Sequence, residues 1–404
     1  MQDEDLLFAG LKVLDVGTWI AGPVAATILA DFGAEVIKVE MPGVGDAYRM
    51  LSGLAATPDA EANYMWQMDA RNKRSLTLNL KRPEGMKILH QLVQDCDVYI
   101  TNQPLPMRRT LKLNYEDLSG LNEKLIYASL TAYGEEGPDR DREGFDLVAY
   151  WARAGLMDLV RTGDVPPAQS LPGMGDHPSA VSLYASIVTA LLRRERTGRG
   201  CEVHTSLLAN GLWAASCIAQ AGFAGGSFER YRETKSQPMF ARQLYETADN
   251  RWLQFTMIRT PAEFEQLLHA VGLAGLLEDD RFATPEGRAD HAGLLVQLFS
   301  DLLRDRTSDE WLTLFAREGV NASRMGVIEE LMVDPQVLQN DYVVPPVDHE
   351  MKMPYVVNHP LHLEGVARVG PKRAPELGEH SDEILRKLGY TELQIGALRE
   401  SGVI

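Results

Sequence analysis

The chain has 404 residues, 45% hydrophobic and 24% charged, with a formal net charge of -17. That is ordinary globular usage, long enough for two or three domains, and the acidic excess disfavours non-specific binding to nucleic acid or an anionic membrane. A local basic pocket for a phosphorylated ligand stays open, while Cys96, Cys201 and Cys217 form no metal or disulfide pattern and suit a reducing cytosol.

The acidic start Met1–Asp5 is unlike a basic signal peptide and no long apolar run follows, so a cytoplasmic protein is expected. Lys12–Val16 reads as a strand. Pro23 then opens a helix with Ala25, Ala26, Ile28, Leu29 and Phe32 at near-helical spacing. Gly33 stops it, and Glu35–Glu40 is the next strand, which makes a βαβ unit and predicts a parallel, doubly wound sheet. Further on, Pro83–Asp95 reads as a helix, Asp97–Thr101 and Leu125–Ser129 as strands, and Asp146–Leu159 and Ser179–Arg196 as helices. Glu202–His204 is a strand entering the helical run Leu207–Ala221.

Residues 222–243 mix glycines, single charges and Gln237-Pro238 and read as a linker or mobile loop. A hairpin follows, Gln243–Ala248 and Arg251–Ile258 around Asp249-Asn250, then helices near 261–271, 287–304 and 308–318. Beyond Asn321 the chain resembles its first part, ending in helices near 381–388 and 391–400. The expected plan is an α/β protein. A large domain with an open parallel sheet is built from residues 1–222 and 326–404, and a smaller α+β domain spans 223–325.

Chemistry concentrates at Gly173-Met174-Gly175-Asp176-His177-Pro178. Glycines that allow a sharp turn and close ligand approach precede one carboxylate, and Pro178 suits a first helical turn. A carboxylate at a helix N-terminus is stabilised as an anion. Asp176 is therefore either a helix cap or a nucleophile or base. The turn Asp15–Pro23 lacks the G-x-G-x-x-G of a dinucleotide fingerprint, although Glu40 lies where a ribose-binding acid would. Two segments offer cations and amides: the basic run Asp69–Leu76, and Asn102–Arg109 after a strand, at the edge where open α/β sheets take ligands. Asp146 follows the loop Tyr133–Phe145 and could cap the next helix. No HExxH, paired CxxC or acidic cluster suggests a metal site, and no G-x-S-x-G elbow is present. Among nine scattered histidines, His177 beside Asp176 is the one of chemical interest.

Taken together, these segments resemble the family III CoA-transferases, the group that includes formyl-CoA, carnitine and bile-acid CoA-transferases. The matching pieces are Leu11–Glu40 with Ala21-Gly22-Pro23, Asn72–Ser75, Asp97–Asn102, Gly144–Met157, Gly175-Asp176, Arg196–Gly200 and Gly378–Leu385 leading to Leu388-Gly389-Tyr390. The resemblance runs nearly the full length. It implies a Rossmann-like large domain and a small domain forming a ring, with two rings interlocked as a homodimer. It implies acyl-CoA and carboxylic-acid substrates, with coenzyme A a substrate moiety and no permanently bound cofactor. It places Asp176 at the family's nucleophilic aspartate. It also sets Thr18, Trp19, Ile20 and Ala21 at the CoA thiol end. Asn72, Lys73, Asn102, Gln103 and Arg108 fall toward pantetheine and nucleotide, and Asp146 matches an acidic residue near the active site. Thr18 and Ile20 stand where formyl-CoA transferases carry His and Gln, and Gln103 replaces the usual Phe. Thr18 and Ile20 argue against a formyl–oxalyl pair and for a less polar acid, and Trp19 supports an apolar pocket. Gly222–Gly226 or Ser236–Phe240 are candidates for a lid, and Lys235–Arg242 and Ile258–Arg259 for the acyl pocket.

Three rivals compete with a transferase. An α-methylacyl-CoA racemase of the same fold would need a second acid/base, a histidine directly before the acid matching Asp146, and this chain has Phe145 there. A non-catalytic CoA-binding paralogue would be free to lose Asp176. An NAD-dependent oxidoreductase lacks its glycine fingerprint.

Overall fold

The computed structural model describes residues 6–54, 57–163, 165–255, 258 and 260–404, with the backbone alone at Ala241. The chain divides into two compact units. The larger comprises residues up to Val160, Pro167–Gln220 and Gln336–Ile404, and the smaller comprises Arg161–Pro166 and Ala221–Pro335.

In the larger unit, β1 (Lys12–Asp15), β2 (Glu35–Glu40), β3 (Arg74–Thr77), β4 (Val98–Thr101), β5 (Ile126–Thr131) and β6 (Cys201–Ser206) form one sheet. Its order is β3-β2-β1-β4-β5-β6 and every pairing is parallel. This is the doubly wound order of a Rossmann-like sheet. Strands buried on both faces read as continuous apolar runs, and alternate residues feed opposite cores. Val13, Val98, Ile100, Ile126 and Ala128 face α1 (Ala21–Asp31) and the long helix that begins at Asp176. Leu14, Val39, Leu76, Tyr99 and Tyr127 face α2 (Pro83–Asp95) and the C-terminal residues Ile384, Leu385 and Ile395. Every residue of α1 is buried, so it is apolar all round instead of amphipathic.

The expected strand and helix order is present, with informative differences. Arg74–Thr77, read from sequence as part of a charged run, is the edge strand β3. Its Ser75, Leu76 and Thr77 are buried, and Ser75 and Thr77 are covered by backbone and side chain of His380 and Ser381. The expected helix Asp146–Leu159 is a π-helical stretch, Leu147–Arg153, followed by a turn and a short helix, Leu156–Val160. The run Leu207–Ala221 is two helices, Leu207–Ala214 and Ser216–Phe223.

The smaller unit has a three-stranded antiparallel sheet, β7 (Tyr245–Glu246), β8 (Trp252–Phe255) and β9 (Ala322–Arg324), and helices Pro261–Ala270, Ala292–Leu303 and Ser308–Glu318. Its core is aromatic. Phe240 packs edge-on against Phe299 with ring centres 4.6 Å apart, and Trp311 donates its indole N–H to Leu303 O at 2.9 Å. The unit runs to Pro335, where 325 was expected, and within the added stretch Glu330 is held by both guanidinium nitrogens of Arg251. The presumed linker holds a helix, Glu229–Lys235, and a 3-10 turn, Phe240–Arg242, and Phe240 belongs to the unit's own core. Met1–Asp5, Arg259 and the end of the expected second hairpin strand, Thr256 and Met257, lie outside the described residues.

The carboxyl ends of β1, β2, β4 and β5 bring Gly17, Asp46, Asn102 and Thr131 to one edge of the sheet, where such folds bind ligands.

Candidate active site

The turn leaving β1 is held open by side chains from other strands. Asn102, just past β4, accepts from Thr18 N at 2.8 Å and donates to Thr18 O at 2.6 Å. Asp46 accepts from Trp19 N at 3.0 Å and from Tyr48 N at 3.0 Å. Trp19 sits at φ +64°, a left-handed conformation rare for an aromatic residue, and these bonds hold it there. Beneath, Lys38 donates to Gly17 O at 3.0 Å and pairs with Asp46 at 2.9 Å, and Lys73 pairs with Asp15 at 2.9 Å. Burial alone would strip the Lys38 proton, but Asp15, Asp46 and Glu40 outweigh it and hold the ammonium above its usual range. The ordered turn delivers the chain into α1. Pro23 has no N–H and Val24 N bonds Ile20 O at 2.8 Å, so the N–H groups of Ala21 and Gly22 are the ones at the start of α1 available to an oxyanion.

Across from this turn, Asp176 is the first residue of α3 (Asp176–Thr197), a helix that ends in the left-handed Gly198. Gly175 N donates to Asp146 Oδ2 at 2.9 Å. A Cβ on Gly175 would lie 2.6 Å from Tyr150 Cγ and 2.9 Å from Asp146 Cβ, so only glycine lets the π-helical stretch pack this closely. Such stretches recur at functional sites. His177 places Nδ1 3.0 Å from Gly173 O and Nε2 3.2 Å from Asp69 Oδ1, and Tyr48 donates its phenol to Asp69 Oδ2 at 2.5 Å. Burial and the neighbouring Asp146 charge push the Asp176 carboxyl up to about 7, with His177 opposing them. Burial would lower His177, but its bond and charge pairing with Asp69 prevail and raise it to about 9.

A cavity of about 270 Å³ joins the two sides. Thr18, Trp19, Ile20, Ala21 and Asn102 line it together with Asp176. Trp19 and Phe145 meet edge to face at 5.2 Å on its wall, and Arg140 and Arg142 stand at its rim. Asp146, 2% exposed, lies behind Gly175, and Gln103 sits between the lining residues Asn102 and Pro104. Lys73, Arg108 and Asn72 do not line this cavity. The Lys73 ammonium is buried on Asp15 and Pro23 O, and Arg108, 1% exposed, is paired with Glu135 and Tyr127. Asn72 bonds Asp31 Oδ1 at 2.7 Å and Lys372 N at 2.9 Å and lines a separate cavity. Each of these three residues is held by partners within the protein, with Arg108 Nε left as a buried N–H without a partner.

Sequence reasoning missed Asp46, Tyr48, Asp69, Lys38, Arg140 and Arg142. For the first four the obstacle is distance in the chain, since a buried partner such as Asp46 carries no local pattern. The run Arg140–Arg142 just before Gly144-Phe145-Asp146 was a readable signal.

Comparison with known proteins agrees with this geometry. The model of CoA-transferase family III matches residues 8–381. The chain is 30% identical to (R)-2-hydroxy-4-methylpentanoate CoA-transferase of Clostridioides difficile, covering 99% of this chain and 100% of that protein. It is also 30% identical to human succinyl-CoA:glutarate CoA-transferase, covering 98% of this chain and 89% of that protein. A CAIB/BAIF family protein from Brucella suis superimposes with a TM-score of 0.82 at 27% identity, covering 95% of this chain and 99% of that one. With a Rossmann-like sheet, a glycine-bedded carboxylate at its ligand-binding edge and relatives matched over 89–100% of their length, the chain belongs to CoA-transferase family III and is an enzyme of that type.

Proposed function

We propose that this enzyme moves coenzyme A from an acyl-CoA thioester to a free carboxylic acid through covalent intermediates on Asp176. One observation carries the reading: Asp176 lines the same cavity as Ile20 and Ala21, where α1 begins, so a carboxylate and the N–H end of that helix meet at one space.

In this scheme an Asp176 carboxylate oxygen attacks the thioester carbonyl, and the oxyanion that forms is stabilised by the N–H groups opening α1. The C–S bond breaks, CoA leaves as the thiolate, and an acyl–aspartyl anhydride remains. The thiolate attacks the aspartyl Cγ, expels the donor acid as its carboxylate and leaves an aspartyl-CoA thioester. The acceptor carboxylate then attacks Cγ and releases the thiolate, which attacks the acceptor's acyl carbon and restores Asp176. No proton is gained or lost overall, and the thioester's free energy is conserved, so ATP is not required.

Thr18, Asn102 and the rim cations Arg140 and Arg142 are assigned to the CoA chain and its phosphates. Lys73, Asn72 and Arg108 are not, because none of the three lines this cavity. Trp19, Ile20 and Phe145 supply apolar surface beside Asp176, which supports an acid with an apolar or aromatic substituent. Phe145 offers no proton acceptor for α-proton exchange. The exposed Trp213, with 79% of its surface accessible, and the exposed Phe223 support burial in a homodimer of the interlocked type. Incubating the enzyme with an acyl-CoA and a second acid, without ATP, tests the reading. A new acyl-CoA is expected, and solvent α-deuterium exchange without transfer would contradict it.

A further inference from the structure

His177 follows Asp176 in the chain, and both of its ring nitrogens face acceptors. Nδ1 lies 3.0 Å from the carbonyl oxygen of Gly173 and Nε2 lies 3.2 Å from Asp69 Oδ1. A carbonyl oxygen has no proton to give. Tyr48 donates to Asp69 Oδ2 at 2.5 Å, and Asp69 is 3% exposed, so it is served as a carboxylate acceptor on both oxygens. A neutral imidazole carries one N–H and would leave one of these contacts with two lone pairs face to face. The geometry is that of an imidazolium.

The charges around it are accounted for on each side. On its own helix stands Asp176, and behind Gly175 is Asp146. Asp69, with Tyr48 on its far oxygen, comes from the helix Tyr64–Asp69. On the other side, a cavity of about 240 Å³ brings Arg71 and His359 to a wall shared with His177. Arg71 is already paired with Asp31 at 2.6 Å, and His359 accepts from Leu361 N on Nδ1 and is held neutral by burial and by Arg368 and Arg71. Besides His177, the cation that acts on this group of Asp176, Asp146 and Asp69 is the buried Lys73 ammonium, which reaches Asp69 by charge alone and is itself paired with Asp15 at 2.9 Å.

We propose that His177 is a positioning residue for CoA transfer, a fixed imidazolium that pins the Gly173–Asp176 turn and supplies the compensating positive charge beside the nucleophile. The proposal rests on Asp176 being that nucleophile. The charge has a use at each turnover. Asp176 is neutral as anhydride and as thioester and becomes a carboxylate again in the last step, and the imidazolium, tied at both nitrogens, stays in place to receive it.

The test compares the native enzyme with His177→Asn, which keeps a neutral donor toward Gly173 O, and His177→Gln, which reaches toward Asp69. The readouts are the pH profile of kcat/KM and the intact-protein mass after acyl-CoA and hydroxylamine. The expected result is an adduct still on Asp176, a KM for CoA thioester close to native, and an acid limb raised by about 1 pH unit or more in both variants. An adduct with an unmoved acid limb overturns the proposal alone. No adduct on native enzyme removes the nucleophile and the proposal with it. A measurement on the native protein covers variants that do not fold: long-range nitrogen–proton NMR of labelled histidine is expected to show one ring still doubly protonated at pH 8, since His177 is held at about 9. Complete neutralisation of all histidines by pH 8 overturns it.

Discussion

Gly175 donates its backbone N–H to Asp146 Oδ2 at 2.9 Å, and this one bond sets both the place of Asp176 and the negative charge it faces. Removing that charge while keeping an acceptor separates the two effects. Asp146→Asn is expected to move the acid limb of kcat/KM down from about 7, because the repulsion that raises Asp176 is gone, while the turn stays closed through the amide oxygen. An unchanged limb would show that burial alone sets it.

The same shift has a stability consequence. Asp176 titrates near 7 when folded, above the ordinary carboxylate value of 3.8, so folding favours its protonated form. The stability this group contributes is fully present below pH 3.8 and is lost as pH rises through about 7. Asp176→Asn should therefore raise Tm relative to native at pH 8, with a smaller gain at pH 5. Calorimetry at the two pH values checks this, and a gain independent of pH would contradict it.

Gly175→Ala should cost about 1–3 kcal/mol of stability, because the new Cβ meets Tyr150 and Asp146 at under 3 Å and the π-helical stretch must shift. Transfer should fall by more than the stability loss explains, about 10²-fold, because the nucleophile moves with its turn. Chemical denaturation and steady-state kinetics on one preparation measure both.

Asn102→Asp is nearly isosteric but puts an acceptor against the Thr18 carbonyl, where Asn102 now donates at 2.6 Å. The β1 turn should loosen, raising KM for acyl-CoA and lowering kcat together, with little change in Tm. A change in KM alone would assign Asn102 to ligand contact only.

The parts of this architecture that were legible in sequence are those with local signals. Lys12–Asp15, Ala21–Asp31 and Glu35–Glu40 announce themselves by apolar runs, Pro23 and Gly33, and the parallel βαβ plan follows. Asp176 was legible because glycines and a proline bracket it. Lys73 and Arg108 look like solvated cations in sequence. Their partners, Asp15 and Glu135, lie 58 and 27 residues away, and only the fold reveals that the charges are spent internally. Strand β3 was hidden for a related reason: its one charged residue, Arg74, pairs with Glu383 near the other end of the chain. His177 was noticed, but not its anchor Asp69, more than a hundred residues earlier. The π-helical turn has no periodic signature, since an inserted residue shifts the pattern without changing its composition.

The central claim is that the carboxylate of Asp176 becomes acylated. Intact-protein mass spectrometry after incubation with a panel of acyl-CoAs, then hydroxylamine and peptide mapping, tests it most directly. The account predicts a hydroxamate at Asp176 with at least one donor, absent in Asp176→Ala, whose transfer rate should fall by at least about 10³-fold. Full turnover by Asp176→Ala, or an adduct mapping to another residue in an active enzyme, would contradict it.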